Sequence, residues 1–176
     1  MKNILVIAGT SHRDSINLAL ASHAAAQVEG AEVNALDLND FEMPIYSQDR
    51  EEASGIPDEA QQFLAVIQAA DGIVLSLAEH NGSYTAAFKN LFDWTSRLEQ
   101  KLWSGKPMLL MATSPGGRGG ATVLAAAEAT FPHLGGNIVA SLSLPSFYDN
   151  FSEENGISDP ALASQMSEAV ARLSAS

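Results

Sequence analysis

Gly72-Ile73-Val74-Leu75-Ser76-Leu77-Ala78-Glu79-His80-Asn81-Gly82-Ser83-Tyr84-Thr85-Ala86-Ala87-Phe88-Lys89-Asn90-Leu91-Phe92-Asp93-Trp94 is the stretch on which the fold turns. It opens as an apolar, β-branched run and ends as a pattern with apolar residues every three to four positions: Tyr84, Ala87, Phe88, Leu91 and Phe92. A buried strand therefore runs into a polar, glycine-containing loop, and the loop feeds a helix. In an open α/β sheet, loops of this kind line the crevice where ligands bind. Glu79, His80, Asn81 and Gly82 bring carboxylate, imidazole, amide and free backbone N–H groups to that edge. A planar heterocycle with donors and acceptors on its rim needs such a set.

Working outward, apolar runs alternate with helical patterns along the whole chain. Strands are predicted at Ile4 to Ala8, Glu32 to Leu38, Ile73 to Leu77, Pro107 to Thr113 and Asn137 to Leu142. Helices are predicted from about Ser15 to Val28, from near Pro57, from Tyr84 to Arg97, from near Gly120 to before Pro132, and from Pro160 to Leu173. The segment from Asp40 to Ser54 lacks clear periodicity and reads as an excursion, and Pro145 to Asp159 reads as a polar loop. Five strands alternating with five helices indicate one three-layer α/β domain over residues 1–176, a parallel sheet with helices on both faces. The strand order 2-1-3-4-5, flavodoxin-like, is the simplest arrangement of five such units.

At 176 residues the chain is long enough for one domain that buries about 70% of its unfolded surface. The net charge of −12 argues against nucleic acid or an anionic membrane as partner, because phosphate backbones are held by clustered Lys and Arg. There are no cysteines, which excludes disulfides, iron–sulfur ligation and a thiol nucleophile. Four scattered histidines have no metal-ligand spacing, so no metal site is expected, and His23 and His133 read as packing or surface residues. No hydrophobic run approaches the roughly 20 residues of a membrane span. The N-terminus enters Asn3-Ile4-Leu5-Val6-Ile7-Ala8 directly and reads as a strand instead of a signal peptide, so the expected compartment is the cytoplasm.

The strand order brings the loops after the first, third and fourth strands to one edge. The first is Gly9-Thr10-Ser11-His12-Arg13-Asp14-Ser15-Ile16-Asn17. Its hydroxyls and amides sit at a helix N-terminus, where the dipole favours an anion. A plain capped helix, with Asp14 or Ser15 as N-cap, would explain the same residues. The loop after the fourth strand is Thr113-Ser114-Pro115-Gly116-Gly117-Arg118-Gly119-Gly120, with four glycines in five residues. That density permits close backbone approach to a flat ligand. Neither a Walker A sequence nor the G-x-G-x-x-G dinucleotide fingerprint is present, and there is no G-x-S-x-G nucleophile elbow.

The segment from Ala78 to Trp94 resembles the Pro-Glu-Tyr-Asn-Gly-Ser…Lys-Asn-x-x-Asp-Trp motif of the NAD(P)H-dependent FMN reductases, a flavodoxin-like family that includes quinone, azo-dye and chromate reductases. Ala78 stands for the motif's Pro and His80 for its Tyr. Glu79, Asn81, Gly82, Ser83, Lys89, Asn90, Asp93 and Trp94 match. The first loop resembles the family's Gly-Ser-x-Arg-x-x-Ser-x-Asn when aligned on Gly9, Ser15 and Asn17. His12 then holds the Arg position and Arg13 comes one residue late. The glycine loop resembles the family's Ser-x-Gly-x-x-Gly-Gly, and Met43 to Asp49 resembles its Pro-x-Tyr-x-x-Asp stretch.

The resemblance implies noncovalent FMN, with NAD(P)H as co-substrate and a small-molecule acceptor such as a quinone or flavin. The cofactor would carry the chemistry, so no catalytic acid–base residue is expected. Thr10, Ser11, His12, Arg13, Ser15 and Asn17 would hold phosphate. Either His12 or Arg13 supplies its cation, and the forked guanidinium favours Arg13. Ala78, Glu79, His80, Asn81 and Gly82 would meet the isoalloxazine edge, and Ser114, Pro115, Gly116 and Gly117 would flank the ring. The alternative is a flavodoxin-type electron carrier without NAD(P)H turnover. Phe92, Trp94, Leu98, Leu102 and Trp103 crowd the end of the third helix. One helix end buries only some of them, so the remainder is expected to form an exposed apolar patch. The family's dimers use this region, so the expected assembly is a homodimer or tetramer.

Overall fold

The structure, a computed structural model, describes residues 1–176. Its sheet contains β1 (Asn3–Ala8), β2 (Glu32–Leu36), β3 (Gly72–Leu77), β4 (Pro107–Thr113) and β5 (Asn137–Leu144). All neighbours are parallel and the order is β2-β1-β3-β4-β5, the arrangement read from the sequence. The inner strands β1, β3 and β4 are buried on both faces, so they are nearly uniformly apolar while their side chains still alternate, whereas the edge strand β2 is largely exposed. Leu5, Ile7, Ile73, Leu75, Met108 and Leu110 enter one core, and Ile4, Val6, Val74, Leu109 and Met111 enter the other.

The helices complete the two outer layers. They are α1 (Ile16–Ala26), α2 (Gln48–Ser54), α3 (Asp58–Ala69), α4 (Ala86–Leu98), α5 (Ala121–Thr130), α6 (Phe147–Asn150) and α7 (Pro160–Ser174). The first core packs α3, α4 and α5 against the sheet, and the second packs α1 and α7. The direction in which successive strands are added to the sheet reverses between β1 and β3, so the connections leaving their C-terminal ends go to opposite faces and open a crevice.

Two stretches expected to be irregular contain structure. The excursion after β2 holds a 3-10 turn at Leu38–Phe41 and then α2. α2 has no buried residue, so it leaves no hydrophobic period to read. It forms on its cap, with the Arg50 N–H donating to Ser47 Oγ at 3.2 Å, and on Asp49 and Glu51 in its first turn. The polar loop after β5 holds α6 and a two-stranded antiparallel hairpin, β6 (Phe151–Ser152) and β7 (Gly156–Ile157). β5 itself continues to Leu144, two residues beyond its expected end.

Candidate functional site

The β1–α1 loop is built by its own hydroxyls. The His12 N–H donates to Thr10 Oγ1 at 3.1 Å, and the Asn17 N–H donates to Ser15 Oγ at 3.1 Å, which makes Ser15 the N-cap of α1. Asn17 is only 2% exposed, and its side chain does something the sequence reading missed. Its Oδ1 accepts from Ser76 Oγ at 2.7 Å and from the Thr113 N–H at 3.2 Å, while its Nδ2 donates to the Thr113 carbonyl at 3.4 Å. One amide thus ties the start of α1 to the ends of β3 and β4. Thr85 adds a second tie, donating to the Gly9 carbonyl at 2.7 Å and capping α4 by accepting from the Phe88 N–H.

His12 and Arg13 part company. Arg13 Nε pairs with Asp37 Oδ2 at 2.8 Å, with the guanidinium side chain 70% exposed. Asp37 also accepts from the Asn39 backbone and side chain at 2.9 and 2.6 Å. Those two bonds, and then Arg13, hold the Asp37 carboxyl below the usual carboxylate range. Asn39 Nδ2 further donates to the Ser11 carbonyl at 2.8 Å. Ser11 and Arg13 are therefore engaged with the segment after β2, while His12 lines the cavity between the three loops. The preference for Arg13 over His12 rests on the reach and fork of its guanidinium and takes no account of Asp37.

The β3–α4 loop closes on itself. His80 and Ser83 exchange backbone hydrogen bonds of 3.0 and 3.1 Å around Asn81 at φ +53° and Gly82 at φ +73°. This is the two-residue Asn-Gly turn that requires positive φ at both central positions. Glu79 Oε2 accepts from the Val123 N–H at 2.9 Å. Gly120, the N-cap of α5, has no side chain to cap with, so Glu79 caps that helix from the neighbouring β3–α4 loop.

The glycine loop after β4 divides into two pairs. A Cβ on Gly119 would overlap Ser143 Oγ and lie 2.9 Å from the Leu144 backbone, and one on Gly120 would lie 2.9 Å from Ala112 Cβ. A Cβ on Gly116 or Gly117 would meet nothing of the chain within less than 4.0 Å. The first pair serves the chain's packing, whereas the second leaves space at the edge.

The later half of the long motif is structural. Asn90 donates to the carbonyls of Met43 and Pro44 at 3.1 Å each and accepts from the Tyr46 N–H at 2.8 Å. Trp94 Nε1 donates to the Pro44 carbonyl at 2.7 Å. Together they pin the excursion after β2 to α4. Lys89 and Asp93 form an exposed i,i+4 pair at 2.7 Å, worth little by itself. The expected apolar patch near the end of α4 is largely absent: Trp94, Leu102 and Trp103 are buried and Phe92 and Leu98 are half-buried. The 3-10 turn at Phe131–Leu134 accounts for this, since Phe131 covers Trp103 with ring centroids 4.8 Å apart.

A cavity of about 210 Å³ lies where the three loops meet. Of the residues proposed from sequence, Thr10, His12, Ser15, Asn17, Ala78, Glu79, His80, Ser114 and Pro115 line it. Ser11, Arg13, Asn81, Gly82, Gly116 and Gly117 do not. Asp14, Ile16, Thr113 and Tyr148 line it without having been singled out. Asp14 and Ile16 were adjacent to residues already chosen. Tyr148 comes from α6, where the motif resemblance had faded. No Lys or Arg is among the lining residues. The site's intrinsic attraction for an anion therefore comes from the N-terminus of α1 and from the imidazoles of His12 and His80.

Fold and site together define a flavodoxin-like ligand-binding protein with its crevice at the C-terminal ends of β1, β3 and β4. The profile of the NADPH-dependent FMN reductases matches residues 2–149, and the chain belongs to that family. It is 37% identical over 117 residues to a 2-hydroxy-1,4-benzoquinone reductase of a Burkholderia species, across 66% of this chain and 62% of that one. It is 38% identical over 90 residues to a quinone reductase of Escherichia coli, across 51% of this chain and 47% of that one. The aligned stretch thus spans less than two thirds of these relatives. Among solved structures, FerB of Paracoccus denitrificans, a flavoenzyme NAD(P)H:(acceptor) oxidoreductase, superposes with a TM-score of 0.76 at 25% identity, covering 99% of this chain and 96% of that one.

Proposed function

We propose that this chain binds FMN at the crevice and passes electrons from NAD(P)H to a small-molecule acceptor of the quinone, flavin or azo type. The observation that carries it is the single cavity joining an anion-favouring helix N-terminus to two loops suited to a flat ring. The residues present fit the group. Ser15 and the first amides of α1, with Thr10 and His12, would hold the phosphate. Ala78 to Gly82 would meet the ring edge, and Ser114 to Gly117 would flank its face, where the chain leaves Gly116 and Gly117 uncovered. Bound FMN would supply hydride acceptance and onward electron transfer. The chain's own part is to orient the ring and keep one face open. Asn17 and Glu79 do this indirectly, by fixing the three loops to one another.

Supporting the enzyme over the flavodoxin-type carrier is the open space at Gly116 and Gly117, next to the cavity-lining Ser114 and Pro115, which leaves room for a nicotinamide where a carrier stacks aromatic rings. A cytoplasmic setting belongs to the same proposal, because that is where NAD(P)H is available. No helix is long and apolar enough to cross a membrane. A homodimer or tetramer is proposed on a different residue from those first considered. Ile45 is 75% exposed on the segment that Asn90 and Trp94 pin to α4, where it lines a shallow surface cleft with Met43 and Ala87. Light scattering at micromolar concentration should give twice or four times the 18.6 kDa chain mass, and a monomer would contradict it. The functional reading is tested by titrating FMN into the protein and then adding NADH or NADPH with a quinone. Saturable flavin binding and ping-pong turnover are expected. Binding without reduction by either nucleotide would favour the carrier.

A further inference from the structure

We propose that Tyr148 is a ligand-contacting residue that donates its phenol O–H to the phosphate of the flavin, in place of the cation the pocket lacks. The inference rests on the flavin reading above.

Three independent observations lead to it. First, Tyr148 is 72% exposed, one of few large apolar side chains left in solvent, and it lines the crevice cavity beside His12, Asp14 and Ser15. Its one aromatic neighbour is Phe147, edge-on with ring centroids 5.5 Å apart, so the ring is not held by packing on both sides. Second, the backbone is set to put it there. Ser146 takes a left-handed conformation at φ +47°, ψ +59°, which a non-glycine residue rarely adopts. The Ser146 N–H donates to the Gly116 carbonyl and the Phe147 N–H to the Ser114 carbonyl, both at 3.0 Å. The turn that presents Tyr148 is thus fastened to the loop proposed to flank the ring. Strain held in place by such contacts points from structure to function.

Third, the charge count at this end of the cavity is unfavourable to a phosphate. Asp14 and Glu79 are the carboxylates of the lining, Arg13 is engaged with Asp37, and no Lys or Arg faces the cavity. The imidazoles of His12 and His80 are the only basic side chains of the lining. A phenol hydroxyl donates to a dianion without bringing charge of its own. A hydroxyl aimed at a charged acceptor makes one of the stronger single hydrogen bonds available to a side chain. The same Tyr148 also lines a larger groove of about 690 Å³ between α1 and the β6 end, alongside Ile16, Leu18 and Phe151. Its ring therefore stands at the boundary between the phosphate end and solvent.

The test compares FMN with riboflavin, which has the same ring and ribityl chain and no phosphate. Both are titrated by flavin-fluorescence quenching into wild type, Tyr148→Phe and Tyr148→Ala at pH 8, with circular dichroism to verify folding. The side chain is exposed, so Tyr148→Phe should fold unchanged. Tyr148→Phe should weaken FMN about tenfold, as loss of a hydrogen bond to a charged group does, and leave riboflavin within about twofold. Tyr148→Ala should weaken FMN at least as much. Equal losses for both flavins in Tyr148→Phe, or FMN affinity unchanged in both variants, would overturn the proposal while leaving the flavin reading intact. A wild-type chain that binds neither flavin would overturn both.

Discussion

Two sets of groups share the C-terminal edge of the sheet, and they differ in what they face. Asn17, Glu79, Gly119 and Gly120 are taken up by the chain itself: an amide bridging three segments, a carboxylate capping α5, and two glycines pressed against β4 and β5. The side chains of His12 and Tyr148 have no hydrogen-bond partner in the chain, and they and the Cα atoms of Gly116 and Gly117 border open space. Both sets look alike in sequence, because each consists of polar or glycine residues in a loop after a strand. The difference is that the first set builds the edge and the second leaves it available.

That contrast is sharpest in stability. Gly119→Ala must place a methyl group against Ser143 and the Leu144 backbone at φ +56°. Left-handed strain and overpacking together should destabilise by about 2–4 kcal/mol, read as a lowered urea midpoint. Asn17→Ala leaves the buried Ser76 hydroxyl and the Thr113 N–H without their partner. It should lose about 2–3 kcal/mol, and a loss of flavin affinity without any loss of stability would move Asn17 into the other set.

The open set should respond the other way. His12→Ala should leave the urea midpoint within about 0.5 kcal/mol, as surface substitutions do, and weaken FMN up to about tenfold at pH 6. Riboflavin, which lacks the phosphate, should lose little in His12→Ala. FMN affinity unchanged in His12→Ala and reduced by Arg13→Ala would instead return the phosphate to Arg13. Gly117→Ala should keep or slightly raise stability, by up to about 1 kcal/mol, through the unfolded chain. It should still weaken flavin binding a few-fold, and equal losses in both would break the division.

The smallest effect concerns neither set. His23 packs edge-on against Phe151 at 5.3 Å, under Gly156, and burial lowers its pKa. A base whose folded pKa lies below its unfolded value is protonated first in the unfolded chain. The stability His23 contributes is therefore complete above about pH 6.5 and declines as pH falls below it. His23→Phe should flatten the melting temperature between pH 7 and pH 5.5, and an unchanged slope would assign the dependence to other groups.

Much of the fold was legible because its main elements depend on burial, which leaves a period. β4 was bounded to the residue, and the strand order was the simplest arrangement of five alternating units. α2 was not legible because it buries nothing, and the hairpin after β5 because its two-residue strands are too short to alternate. At the site, the loops were legible but the partners of their side chains were not. Arg13 is drawn off by Asp37 and Glu79 by the Val123 N–H, both distant in sequence, and local pattern carries no record of either. Phe131 conceals the expected patch beside Trp103 in the same way. Tyr148 was missed because it reaches the crevice from the far end of β5, by way of a left-handed serine.

The central claim is that this crevice holds FMN in a form that NAD(P)H can reduce. Its most direct test is the visible spectrum of the purified protein saturated with FMN, recorded without oxygen before and after NADH or NADPH. A visible band of protein-bound oxidised flavin is expected that bleaches on addition of the nucleotide and returns with a quinone. A chain that retains no FMN, or whose bound FMN stays oxidised with both nucleotides, would contradict it.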